Sequence, residues 1–155
     1  MILIEDTRQQ AGKHTAKHKY WEEHGIQVFR SKLIVGDYTY VGSPIFVDTK
    51  ASVEEIAGNI GGAQHTRFRE ECKKAKYLGA RLVILVENEY GYGSIDDVAA
   101  WANPNPNKTA RSIDGARLSK AMDTMSKRYG VRFEFCTPED AGRRVIELLE
   151  AEHDK

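Results

Sequence analysis

The sequence predicts an α/β fold, a central mixed β-sheet flanked by helices. Three observations carry that expectation. Residues 82–86 (LVILV) are five consecutive apolar residues with β-branched members, a run too short for a helix and suited to a buried strand. Stretches of helical character alternate with this and other apolar runs, the pattern of helices packed on a sheet. Clusters of Gly, Pro and Asn separate them, and no internal repeat is present.

Taken in order, residues 1–5 (MILIE) form a first buried strand that opens at Asp6-Thr7-Arg8-Gln9-Gln10 into a loop. Residues 13–24 are helical, with Gly25 placed to end the helix. Residues 26–35 hold strand-like IQVF and KLIV. A hairpin follows over 36–50, with a Ser43-Pro44 turn and an apolar strand ending in Asp48-Thr49-Lys50. Ser52 and Glu55 have the capping-box spacing for a helix over 53–60. Gly61-Gly62 breaks the chain before a longer helix from His65 to Leu78, and a further helix spans 95–102. Residues 103–112 (NPNPNKTARS) are expected to form a mobile loop, because prolines and asparagines remove donors and favour turns. A helix over 115–128, a strand over 131–135 and a helix from Pro138 to Ala151 complete the pattern, with Thr137 as cap and Pro138 at the first helical position.

At 155 residues the chain is expected to be one domain with room for a proper core. No apolar run reaches membrane-spanning length, and Glu5 and Asp6 stand where a signal peptide needs basic flanks. Cys72 and Cys136 lie far apart without CxxC spacing, which speaks against a disulfide framework or zinc knuckle. The expected location is the cytoplasm. A net charge of zero argues against indiscriminate coating of nucleic acid, yet the charge is uneven. Arg67, Arg69, Lys73, Lys74, Lys76 and Arg81 face only Glu70 and Glu71 over 67–81, residues 108–132 are similarly basic, and the last turns are acidic. That asymmetry leaves room for a basic face.

The chemistry concentrates in 36–50. Asp48 and Lys50, two residues apart on a strand, point to one face, and a hairpin returns Asp37 toward them. Two carboxylates suit Mg²⁺ or Mn²⁺, and an adjacent ammonium suits an attacking water or a phosphate oxygen. This is the chemistry of a metal-dependent phosphodiesterase. By itself Asp-x-Lys is common at exposed strand edges, where it forms only a weak ion pair.

The order of further motifs supplies the context. Asp6-Thr7-Arg8-Gln9, Gly36-Asp37-Tyr38, Asp48-Thr49-Lys50 with Glu54, Arg67-Phe68-Arg69-Glu70-Glu71, and the run Val83 to Glu87 follow one another over residues 2–90. In that order they resemble the nuclease domain of the XPF-type structure-specific endonucleases, within the PD-(D/E)XK superfamily. The chain departs from that family where Asp-Thr-Lys replaces Glu-Arg-Lys and where Glu54 replaces an aspartate. It also lacks a tandem helix-hairpin-helix domain, so it looks like a compact, free-standing form of the kind phages and mobile elements carry.

The resemblance implies a restriction-endonuclease-like core and a DNA endonuclease using Mg²⁺ or Mn²⁺, with flapped, forked or junction DNA as substrate and 5′-phosphate and 3′-hydroxyl products. Asp37 and Asp48 are the expected metal ligands, and Lys50 orients the nucleophile or neutralises the transition state. Asp6 is a further ligand candidate, with loop capping as its competing role. Glu54 is placed to hydrogen-bond Lys50 or a metal-bound water, and Glu71 stands where the family has a glutamine. Arg8, Arg67, Arg69 and Lys73 are the DNA-binding candidates, Arg67 with an ion pair to Glu70 or Glu71 as the competing reading. His14 and His18 read as one face of a surface helix, and Tyr90 and Tyr92 as a tight turn or as base-stacking rings. Competing functions are a junction resolvase or restriction-like nuclease, and a DNA-binding scaffold that lost turnover. Residues 114–152 either complete the core or form a homodimer face, with Val145-Ile146 and Leu148-Leu149 as the apolar stripes.

Overall fold

Apolar periodicity along the strands and helices assembles a six-stranded mixed sheet with helices on both faces. The computed structural model describes residues 2–10, 12, 14–62, 65–104 and 113–151. The strands are β1 (Ile2–Glu5), β2 (Gln27–Arg30), β3 (Tyr38–Tyr40), β4 (Ile45–Lys50), β5 (Arg81–Glu87) and β6 (Arg132–Cys136). Their order in the sheet is β2-β1-β3-β4-β5-β6. Only β3 runs against its neighbours, β1 and β4; the other pairings are parallel.

The helices are α1 (Thr15–Glu23), α2 (Val53–Gly61), α3 (His65–Tyr77), α4 (Ile95–Val98), α5 (Gly115–Tyr129) and α6 (Ala141–Glu150). On β5, Leu82, Ile84 and Val86 pack with α2, α3 and α5, while Val83 and Leu85 pack with α1 and α6. The unbroken apolar run is thus explained by burial on both faces. The α1/α6 face is drawn tight around Trp21, which is fully buried and donates from its indole to the Gly142 carbonyl at 3.0 Å. A Cβ on Gly142 would meet Tyr20 and Lys17 of α1 at 3.0 and 3.2 Å, so glycine permits this helix approach.

Local signals account for the boundaries. The Ser52 hydroxyl accepts from the Glu55 amide at 3.0 Å, and the Glu55 carboxylate returns to the Ala51 amide at 2.6 Å. Thr137 accepts from the Asp140 amide at 3.3 Å before a 3-10 turn over Pro138–Asp140 leads into α6. Two expectations change. KLIV is loop, because the Ser31 amide donates to the Glu5 carbonyl and the Leu33 amide to the Asp6 side chain, ending β2 at Arg30. The helix expected over 95–102 is the four-residue α4, closed by reverse-turn bonds into Ala99, Ala100 and Trp101 before Pro104. Most of the expected 103–112 loop lies outside the described residues. None of the described helices is long and apolar enough to cross a membrane.

Behind the carboxyl ends of β1 and β5 lies a buried charge network. Glu5, fully buried, meets His18 Nε2 at 2.8 Å and accepts from Arg30 at 2.6 Å and the Tyr38 hydroxyl at 3.0 Å. Lys17 and Glu87, both buried, pair at 2.8 Å. The α1 histidines therefore do not share a free surface face: His18 serves this network, and His14 Nδ1 lies 3.3 Å from Lys17 Nζ. Breaking a buried ion pair leaves an uncompensated charge, whereas replacing both partners by apolar residues removes the desolvation penalty as well. Lys17→Met is expected to lower stability by about 3–5 kcal/mol in urea unfolding, and Lys17→Met with Glu87→Met to recover most of that loss.

Candidate active site

The antiparallel insertion of β3 brings three acids to one end of the sheet. β1 and β4 end there and β3 begins there, so Asp6, Asp37 and Asp48 converge from three adjacent strands. Backbone bonds set Asp37 between its neighbours: its amide donates to the Val47 carbonyl at 2.8 Å, and its carbonyl accepts from the Asp6 amide at 2.8 Å. The turn before it needs Gly36, whose φ is +71° and whose Cβ would stand 3.1 Å from the Val47 carbonyl oxygen. The convergence opens onto a cleft of about 490 Å³ lined by these acids together with Arg8, Lys50, Arg67 and Glu71.

Asp48 is the most constrained group in it. Its Oδ2 is buried, with the Lys50 ammonium as its ion-pair partner at 3.1 Å. Burial first, then the charge of Asp37, with Glu71 adding to it, raises this carboxyl well above its ordinary pKa, while Lys50 acts in the opposite direction. Burial pulls the Lys50 ammonium down, but the contact with Asp48 outweighs it and the net shift is upward. Lys50 also stands 5.2 Å above the centre of the Phe68 ring, a cation–π contact that holds it over the cleft. Asp37 Oδ2 accepts from the Thr49 amide and hydroxyl at 2.8 and 3.0 Å.

Asp6 lines the cleft with its oxygens already engaged. Oδ2 accepts from the Arg8 side chain at 2.5 Å and its amide at 3.1 Å, and Oδ1 from the Leu33 amide at 2.8 Å. Burial works to raise its pKa, and the bonds from Arg8 and Leu33 outweigh burial and lower it. Asp6 is therefore placed as a loop cap that also points Arg8, which donates to the Leu33 carbonyl at 3.3 Å.

On α3, residues 67, 70, 71 and 74 share the face turned to the cleft, as three- and four-residue spacing dictates. Arg67 lies there, and among the described residues it has no carboxylate partner, so the ion pair expected as its competing role is not formed. Glu71 accepts from the Gly36 amide at 3.3 Å. Arg69 and Lys73 sit on the flank of the same helix, outside the cleft; Lys73 pairs with Glu70 at 3.5 Å. Glu54 also lies outside the cleft, exposed in the first turn of α2. Sequence reasoning left out Lys74 and the supporting role of Thr49, and gave Glu71 no part in the site. The 67-71-74 spacing was the available signal for the helix residues. Asn88, not the tyrosines, builds the YGYG turn: its Oδ1 accepts from the amides of Tyr90 and Tyr92, leaving Tyr90 exposed and Tyr92 packed on the core.

The donor set is hard oxygen on one side and ammonium on the other. Among the described residues no three potential ligands lie close enough to enclose a metal ion. Asp37 and Asp48, the second with a buried oxygen that only an ammonium meets among the described residues, fit an ion such as Mg²⁺, which retains waters and takes one or two carboxylates.

Because the folded state holds the Asp48 proton more tightly than the unfolded chain, this group's contribution to stability declines as pH rises above the ordinary value of 3.8. Asp48→Asn removes that penalty but also takes the counter-charge from Lys50, so the readout is the pH dependence. In metal-free buffer the melting temperature of the variant relative to the parent is expected to be more favourable at pH 7 than at pH 4. Equal differences at both pH values in thermal melts would contradict this account of Asp48.

No family model matches the chain, and no curated protein does. Among solved structures it is similar to XPF from Aeropyrum pernix, with a TM-score of 0.66 and 20% identity, over 96% of this chain and 63% of that one. It is likewise similar to XPF from Aeropyrum pernix in complex with DNA, with a TM-score of 0.64 and 23% identity, over 96% of this chain and 62% of that one. The chain thus spans less than two thirds of the length of these neighbours. The likeness is one of architecture: this chain has an XPF-like α/β fold.

Proposed function

We propose that the chain is a divalent-metal-dependent DNA endonuclease acting on branched or flapped DNA. The observation that carries this reading is the meeting of Asp37, Asp48 and Lys50 in one cleft, with the buried Asp48 Oδ2 paired to the Lys50 ammonium at 3.1 Å. In this reading Asp37 and Asp48 hold Mg²⁺ or Mn²⁺, which supplies Lewis acidity toward a phosphate. Thr49 fixes one oxygen of Asp37, leaving the carboxylate oriented before the ion arrives. Lys50, kept charged by Asp48 and steadied over Phe68, donates toward phosphate oxygens as negative charge grows in the transition state. Arg67, which has no carboxylate partner among the described residues, lines the cleft wall and would hold a backbone phosphate through two parallel hydrogen bonds. The fold likeness to a protein solved in complex with DNA supports DNA as the substrate.

The test is cleavage of labelled single-stranded, duplex, flap, fork and four-way-junction DNA with Mg²⁺, Mn²⁺ or EDTA. Cutting should require the ion and be lost in Asp48→Asn, while Lys50→Ala slows it by about 10²–10³-fold. No cutting of any substrate while DNA still binds would overturn the enzyme and leave a DNA-binding module. Arg67→Ala is expected to weaken duplex binding and to reduce its logarithmic salt slope by about 0.9, as measured by titration at several salt concentrations.

A further inference from the structure

A second concavity, of about 510 Å³, lies beyond the cleft between α2, α3 and α5. Its rim carries Arg69 from α3 and Arg117, Lys120 and Arg128 from α5, all exposed, and among the described residues no Asp or Glu lines it. Among the described residues none of these four cations pairs with a carboxylate. By contrast, Lys73 and Lys127 on the same helices pair with Glu70 and Asp123. The α5 cations recur at turn spacing, and the eleven-residue step from Arg117 to Arg128 extends about 16 Å along the helix axis. Lys76 donates to the Arg128 carbonyl at 2.8 Å, tying α3 to α5 where the groove ends.

The floor has a different chemistry. Met125 and the half-buried Tyr129 supply apolar and aromatic surface below the charged rim. Asn59 and Phe68 line both this groove and the candidate active site, so the two concavities adjoin. The Asn59 Oδ1 atom is buried and has no hydrogen-bond partner, an open acceptor at the junction between them.

We infer that this groove holds an unpaired nucleic-acid strand where it leaves the cleft. A single strand presents phosphates and bare base faces together, which match a cationic rim over an aromatic floor. Duplex DNA keeps its bases stacked and offers a surface mainly phosphates, which would leave the apolar floor unused. An acidic polypeptide would use the cations and leave the ring of Tyr129 without a partner. A base amino group is a donor of the kind Asn59 Oδ1 lacks. The inference rests on the nuclease reading for the path of the strand, and on the groove alone for its binding.

The experiment measures fluorescence anisotropy of labelled oligo(dT) and of labelled duplex in EDTA, across a salt series. It compares the parent chain with Arg117→Gln/Arg128→Gln and with the charge-keeping Arg117→Lys/Arg128→Lys. The glutamine pair should bind oligo(dT) at least about tenfold more weakly and lose about 1.4 from the logarithmic salt slope, two phosphate contacts at about 0.7 each. The lysine pair should retain both, and duplex affinity should fall less than strand affinity. Unchanged strand binding in the glutamine pair, equal losses for strand and duplex, or displacement of oligo(dT) by polyglutamate as readily as by unlabelled strand would each overturn the inference. The two readings separate in the cleavage assay. Arginine-dependent strand binding without cutting of any substrate leaves the groove standing and removes the nuclease. Cutting with unchanged binding in the glutamine pair does the reverse.

Discussion

A carboxylate buried at the end of β4 is the constraint around which the cleft is arranged. Asp48 sits beside Asp37 and within the field of Glu71, and only the Lys50 ammonium compensates it. In the absence of a cation such a group disfavours the folded state, since both burial and like charge oppose ionisation. The surrounding fold tolerates the arrangement because the strands that deliver it are held by apolar contacts on both faces of the sheet. Local conflict of this kind is common where groups are prepared for chemistry and uncommon where they serve packing alone.

The sheet separates two sets of charge that are adjacent in sequence. Glu5 and Asp6 are neighbours, yet the first faces α1 and the second lines the cleft. On the α1 side Glu5, Lys17 and Glu87 are matched by specific partners, so that network fastens the helix to the strand ends. On the cleft side Asp6 accepts from Arg8 and Leu33, whereas the buried Asp48 Oδ2 meets the Lys50 ammonium. Asp6 and Glu5 thus tie the ends of β1 to the loops and helix beside them.

Helix α3 joins the cleft to the groove beyond it. Phe68 is its pivot: buried in the core, it supports Lys50 on one side and borders the groove on the other. Arg67 turns to the cleft and Arg69 to the groove, so the basic residues of one helix serve two concavities. The uneven charge seen in a chain of zero net charge therefore has a place, one flank of the molecule, instead of an even coat.

The amino-acid sequence by itself determined the α/β class, most element positions, and the pairing of Asp48 with Lys50 on one strand face, because each depends on periodicity and short-range turn chemistry. The approach of Asp37 to Asp48 was legible too, since a short turn returns β4 antiparallel beside β3. Only the tertiary structure decided which basic residues reach the cleft, because α3 can be docked on the sheet in many rotations and its core face is set by partners distant in sequence. It likewise decided that Glu54 lies exposed at the start of α2, that Asp6 pairs with Arg8, and that Lys17 finds Glu87 seventy residues on. Those outcomes rest on long-range packing and on competition among hydrogen-bond donors, neither of which leaves a periodic trace in the chain.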